Sequence, residues 1–367
     1  MVRDPNAIDF WRGFALITIF VNHIPGIYFE RFTHRNISLS DSAELFVFLA
    51  GWALRILYDR SEDNGERGQL LYRVGSRALT IYAAHLVLIC VAIAMLAASA
   101  TALDNPLLLE WHNAAAVFYD PVRAHLGLVA LTHQLGYFDI LPLYVVLMAV
   151  AAPLIVVIHW KTPALLLPAS IAIYLAALVF RISLPMWPTA GHWFFNPLAW
   201  QLVFVLGFSL AGTTGAGAIV RRNIDWLRIV SVPVVALGAA VVLFDLWPDP
   251  TKLPEPKLLF LVWKSYLTPP RLLQFLALVA VMSAAYPFIS KAIPPVVHFL
   301  ARLGRNSLSV FCVGSLLSLA AQIVRFVYKG GIGFDAIIVI GGIAVLGLTA
   351  AIAEWPRSRG ERKQGTV

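Results

Sequence analysis

FWRGFALITIFVNHIPG, residues 10–26, decides the reading of this chain. The run is apolar enough for a membrane-spanning helix, which needs about 20 such residues. Yet it holds Arg12 near one end and His23 near the other. An ionisable group inside a span is costly, about 2.5–3.5 kcal/mol on insertion scales, so it points to function.

Outward from this stretch, similar apolar runs recur to the end of the 367-residue chain. They predict spans at about 7–27, 41–58, 72–99, 138–159, 163–181, 197–219, 227–246, 271–290, 305–327 and 333–354. The composition agrees: 59% of residues are hydrophobic and only 13% are charged, against about half and a quarter in an average globular protein. The runs do not alternate, so helices and not a barrel satisfy the backbone in lipid. The expected fold is an all-α integral membrane protein, a bundle of about ten transmembrane helices over residues 1–355, with a disordered basic tail at 356–367.

The net charge is +8. Basic residues gather at span ends, so membrane topology and anionic lipid explain the charge, and no nucleic-acid partner is expected. The short loop with Arg221 and Arg222 and the basic tail favour both termini on the inside. Cys90 and Cys312 lie in apolar runs and read as small hydrophobes, with no metal site implied. The GTTGAG segment at 212–217 ends a span with no strand before it, so it reads as packing and a turn and not as a phosphate loop.

The polar residues inside the spans are patterned. Arg12 and His23 are eleven residues apart, which places them within about 20° around a helix and about 16 Å apart along it. Asp9 shares that face, three residues before Arg12. In the second run Asp41, Glu44, Phe48, Gly51 and Arg55 recur at spacings of three and four and form one face. In antiparallel neighbours Glu44 lies near the depth of His23, and a Glu–His pair would orient a general base. Arg73 and Arg77 open the third run one turn apart, suited to clamping a phosphate, and His85 sits mid-span. Asp139, Asn196, Gln201, Lys264 and Arg271 stand at the other level, at outer span ends. Capping and snorkelling account for them singly. As a ring they suggest the wall of an outward-facing cavity.

The segments RDPNAIDFWRGFALITIFVNHIPG, SDSAELFVFLAG, THQLGYFDILPLYVVLM, FNPLAWQLVFVLG, KSYLTPPRLLQFLAL and LGRNSLSVF together resemble OpgC-type succinyltransferases of the acyltransferase 3 superfamily. That superfamily's first span carries a basic residue, ten residues and a histidine, matched here by Arg12 and His23. Asn22 stands where relatives often have Asp, and Arg73 and Arg77 are four apart where relatives often show three. The resemblance implies a multi-pass protein of the bacterial inner membrane. It implies transfer of a succinyl group from cytoplasmic succinyl-CoA to hydroxyls of an osmoregulated periplasmic glucan, with no permanently bound cofactor. On this reading His23 and Glu44 are catalytic. Asp9, Arg12, Arg73 and Arg77 bind the acyl-CoA. His85, Asp139, Asn196, Gln201, Lys264 and Arg271 bind substrate. A covalent acyl-histidine remains an alternative to direct transfer. So do an acetyl-CoA-dependent polysaccharide O-acetyltransferase and, from another class, a proton-coupled transporter or flippase.

Overall fold

The computed structural model describes residues 4–328 and 330–364, with side chains through 355. The segment 356–367, expected as a disordered tail, lies outside the residues whose side chains are described. Among the described residues the chain is all-helical, apart from one isolated bridge between Pro185 and His192. The helices are α1 (Ala7–Asn22), α2 (Ser42–Asp63), α3 (Arg67–Ala102), α4 (Ala115–Tyr119), α5 (Pro121–Val129), α6 (Ile140–Val146), α7 (Ala152–Lys161) and α8 (Pro163–Val179). They continue with α9 (Pro197–Ala211), α10 (Gly215–Arg222), α11 (Ile224–Leu243), α12 (Pro269–Met282), α13 (Ala285–Ala292), α14 (Pro294–Arg305), α15 (Ser307–Val327) and α16 (Ile332–Gln364).

Among the described residues five helical segments are long and apolar enough to cross a membrane, or up to seven if each of two bent pairs is one span. This is a multi-pass membrane protein with fewer such spans than the ten expected. The reason is local. The α1 helix has only 16 residues, about 24 Å of rise. The α2 helix carries Glu44, Arg55, Asp59, Arg60, Glu62 and Asp63 along its length. The α8 helix stops at 17 residues. The run over α9 and α10 bends by 70° at GTTGAG, which is a turn as expected. Gly215 there has φ +58°, a conformation that disfavours any residue with a Cβ. The α3 helix goes the other way. Its 36 residues extend about 54 Å, well past a hydrocarbon core of about 30 Å.

The chain divides into two compact units, residues 1–36 with 282–367, and residues 37–281. In the first, α1 packs antiparallel on α14 and also against α15, and α16 packs on α14 and α15. The α1–α14 contact is so close that a Cβ on Gly13 would stand 1.9 Å from the Leu300 carbonyl oxygen, and one on Gly304 equally near that of Asp9. Without a hydrophobic force between helices in lipid, such small residues let backbones approach and gain dispersion. Where α14, α15 and α16 meet, Glu354 accepts from Arg302 (3.0 Å), Arg305 (3.1 Å) and Asn306 (3.1 Å).

In the second unit α2 and α9 run parallel and repeat the device: Gly51 lies against the Phe204 carbonyl and Gly207 against that of Phe48. Trp200, Phe204, Phe208 and Phe275 are fully buried in its core. The α3 helix packs on α6, and α8 on α9.

Candidate functional site

The α1 helix begins with a local signal. The Asn6 side chain accepts from the Asp9 N–H (3.0 Å), and its amide donates to the Asp9 carboxylate (2.6 Å), so the first turn is capped. Asp9 is buried and Arg12 half-buried beside Gly304. At the other end His23 is the C-cap residue, its N–H donating to the Ile19 carbonyl (3.0 Å). Asp9 and Arg12 thus lie in the first half of one 16-residue helix, and His23 stands just past its last residue.

Side chains from α15 hold the His23 end. Ser318 Oγ donates to the Phe20 carbonyl (3.0 Å) and Gln322 Nε2 to that of His23 itself (2.5 Å). Arg325 Nη2 donates to the Gly26 carbonyl (2.7 Å) and its Nη1 ion-pairs with Asp335. Asp335 in turn accepts from the Tyr28 N–H (2.7 Å). None of these four side chains was among the residues expected at the site. The i, i+4, i+7 spacing of Ser318, Gln322 and Arg325 on an apolar helix was the signal that would have found them.

The second unit gathers charge at the start of α2. Asp41 is its N-cap, accepting from the Ala43 N–H (2.8 Å), while Glu44 accepts from the Asp41 N–H (3.0 Å). The pair forms a capping box, legible in the sequence as Asp-x-x-Glu before an apolar run. Both acids also meet cations from 223 and 227 residues away: Lys264 Nζ lies 2.5 Å from Asp41, Arg271 Nη2 lies 3.2 Å from Asp41, and Arg271 Nε donates to Glu44. Glu44 is 0% exposed and Arg271 8%. A buried charge is sustained only when paired and hydrogen-bonded, and here two acids balance two bases.

The loop before α12 explains the convergence. Trp200 Nε1 donates to the Lys264 carbonyl (3.1 Å), the Asn196 N–H to that of Ser265 (3.1 Å), and the Tyr174 hydroxyl to that of Leu267 (2.7 Å). These bonds fix the segment so that Lys264 sits over the rings of Phe195 and Phe194, 5.3 and 5.8 Å from their centroids. One turn beyond Arg271, Gln274 accepts from Ser38 (2.8 Å) and Ser40 (3.1 Å).

The other expected site residues differ in their availability. Asn196 is fully buried: it caps α9 by accepting from the Leu198 N–H (3.2 Å) and donates to the Ile182 carbonyl (2.7 Å). Gln201 exchanges hydrogen bonds with Ser170, accepting at 2.7 Å and donating at 2.9 Å, and so ties α9 to α8. Asp139 is half-buried at the N-cap position of α6 and makes no capping bond. His85 is 1% exposed in α3 with neither ring nitrogen hydrogen-bonded among the described residues. Arg73 is exposed and shares its guanidinium with Glu66 (2.9 Å) and Gln69 (3.2 Å). Arg77, a turn further along α3, is exposed, and no described residue bonds or ion-pairs with it. Glu44, expected as the partner of His23, has its two oxygens engaged by Arg271 and the Asp41 N–H.

What these residues can do chemically is hold a base at the end of one helix, present cations along another, and neutralise a buried acid cluster. No curated protein and no solved structure matches the chain. The family model described as OpgC protein matches residues 3–358. That match takes in α1 with its Arg12 and His23, the acid–base quartet and α15 alike, and the chain belongs to the OpgC protein family.

Proposed function

We propose that this protein moves a succinyl group from succinyl-CoA on the inner side of a bacterial inner membrane to hydroxyls of a periplasmic glucan, with both termini inside. Family membership implies a function related to glucan succinylation. The observation that supports the finer reading is α1, which carries Arg12 in its first half and His23 at its C-cap, within a chain that matches the family almost throughout.

In this reading the glucan hydroxyl gives its proton to the His23 imidazole as its oxygen attacks the thioester carbonyl. Collapse of the tetrahedral intermediate expels the CoA thiolate, which takes the proton from the imidazolium. The products are a succinyl ester and CoA thiol, and His23 ends as it began. The donor's phosphates meet Arg73, whose bond to Glu66 is exposed and easily exchanged, and Arg77, an exposed residue that pairs with no carboxylate among the described residues. Arg12 and Asp9 line the path of the pantetheine arm toward His23. The acceptor side draws on Asp139 and on the Lys264 and Arg271 cluster. Asn196 and Gln201 serve structure in this reading, since Asn196 caps α9 and bonds the Ile182 carbonyl, and Gln201 ties α9 to α8. Proton transfer rests on His23, with Glu44 serving as the buried acid of the quartet.

Purified His23→Ala protein in nanodiscs, given labelled succinyl-CoA and glucan, is expected to lose transfer by 100-fold or more, on the order of a positioned general base, while keeping its melting temperature. Turnover close to wild type would remove His23 from the reaction and with it this reading.

A further inference from the structure

We infer that Gln322, Arg325 and Asp335 form a strap that positions His23, an inference that rests on His23 being the base. A helix leaves its last carbonyls without partners, and such ends fray. His23 occupies that end as the half-buried C-cap of α1, followed within three residues by Gly26 at φ +73°. By local sequence alone this is a poor site for a group that must be held to a fraction of an ångström.

The packed structure supplies what the local sequence lacks. Between Phe20 and Tyr28 four backbone groups are taken by side chains of α15 and of the first turn of α16: the carbonyls of Phe20, His23 and Gly26 and the N–H of Tyr28. The bonds fall on both sides of His23 and on His23 itself. The Arg325–Asp335 ion pair locks the far end, with Asp335 only 3% exposed. Asp335 is doubly suited to that place, because a carboxylate in a helix's first turn meets the positive end of the helix dipole. Asn22, next to His23, is held as well, its side-chain oxygen accepting from Thr33 Oγ1 (2.7 Å). The Cα of His23 is therefore fixed from several directions. Gln322 and Arg325 bond to the main chain around His23, so they act as positioning residues.

The consequence is kinetic. Releasing the strap lets His23 drift by up to about 1 Å, and a misplacement of that size costs up to about 100-fold in rate. Donor binding is elsewhere and stays as it was. The test uses full-length protein in nanodiscs with labelled succinyl-CoA and glucan, comparing Gln322→Ala, Arg325→Met and Arg325→Lys with wild type and with His23→Ala. Gln322→Ala leaves the Arg325–Asp335 pair intact and serves if Arg325→Met does not fold. The expected result is a fall in kcat of about 10- to 100-fold in Gln322→Ala and Arg325→Met, an unchanged KM for succinyl-CoA, and recovery of most activity in Arg325→Lys. Either kcat within twofold of wild type, or a loss that follows the melting temperature and is not recovered by lysine, overturns the strap. Loss of activity in His23→Ala with fully active strap variants sinks the strap alone. Full activity in His23→Ala sinks the base assignment first.

Discussion

Replacing Gly13 by alanine adds one methyl group at the tightest point of the α1–α14 contact. That carbon would lie 1.9 Å from the Leu300 carbonyl oxygen and 2.9 Å from the Leu300 Cα. The obstacle is backbone in the middle of a packed helix, which has no rotamer to change. Reaching ordinary van der Waals contact of about 3.4 Å requires the two helices to part by about 1.5 Å. A gap of even 0.5–1 Å forfeits roughly a quarter to a half of each dispersion contact it opens, so the loss is shared along the whole interface. Overpacking of a filled core typically costs 1–3 kcal/mol, and a backbone obstacle puts this site at about 3 kcal/mol. A loss of that size corresponds to a fall in melting temperature of at least about 5 °C for a chain of this length. The assay is thermal unfolding of the purified protein in detergent, followed by intrinsic tryptophan fluorescence. Gly75→Ala in α3 is the control, because a Cβ there meets nothing within 4 Å. It should leave the melting temperature unchanged or raise it, since alanine is the better helix former by about 1 kcal/mol. If Gly13→Ala melts with wild type, the close approach of α1 and α14 is not what holds the first unit together. Gly51→Ala, facing the Phe204 carbonyl at the same 1.9 Å, should behave like Gly13→Ala through the second unit.

Two further outcomes follow from the charges. Arg271→Met leaves Glu44 buried without its cation and should destabilise by about 3–5 kcal/mol, while Glu44→Gln with Arg271→Gln should cost much less than the two single changes added together; a double-mutant cycle in thermal unfolding with no coupling would show that the pair contributes nothing. Arg77→Gln should raise the KM for succinyl-CoA several-fold without moving the melting temperature, because no described residue pairs with it; an unchanged KM would take Arg77 out of donor binding.

Much of this protein was legible in one dimension. The length and repetition of apolar runs determine a multi-pass helical membrane protein, because lipid admits backbone only when its polar groups are satisfied within the segment. The alignment of Arg12 with His23 follows from 3.6 residues per turn and needs no partner. Capping is equally local: Asn6 over Asp9 and Asp41 with Glu44 are pairs three residues apart.

The rest depended on residues far apart in the chain. Hydropathy alone does not show that α1 and α8 stop short or that the run through Gly212–Gly217 bends by 70°, so the described residues hold five to seven candidate spans where ten were expected. The Glu44 carboxylate bonds to Arg271, 227 positions away, because a loop pinned by Trp200 and Tyr174 carries that guanidinium to it. Gly13 and Gly304 look like ordinary helix glycines until α14 lies against α1. The hold on His23 comes from Gln322, Arg325 and Asp335, about 300 residues downstream. Periodicity fixes which way a side chain faces around its own helix. Which helix it meets is decided by packing, where each buried polar group must find a partner wherever in the chain that partner lies.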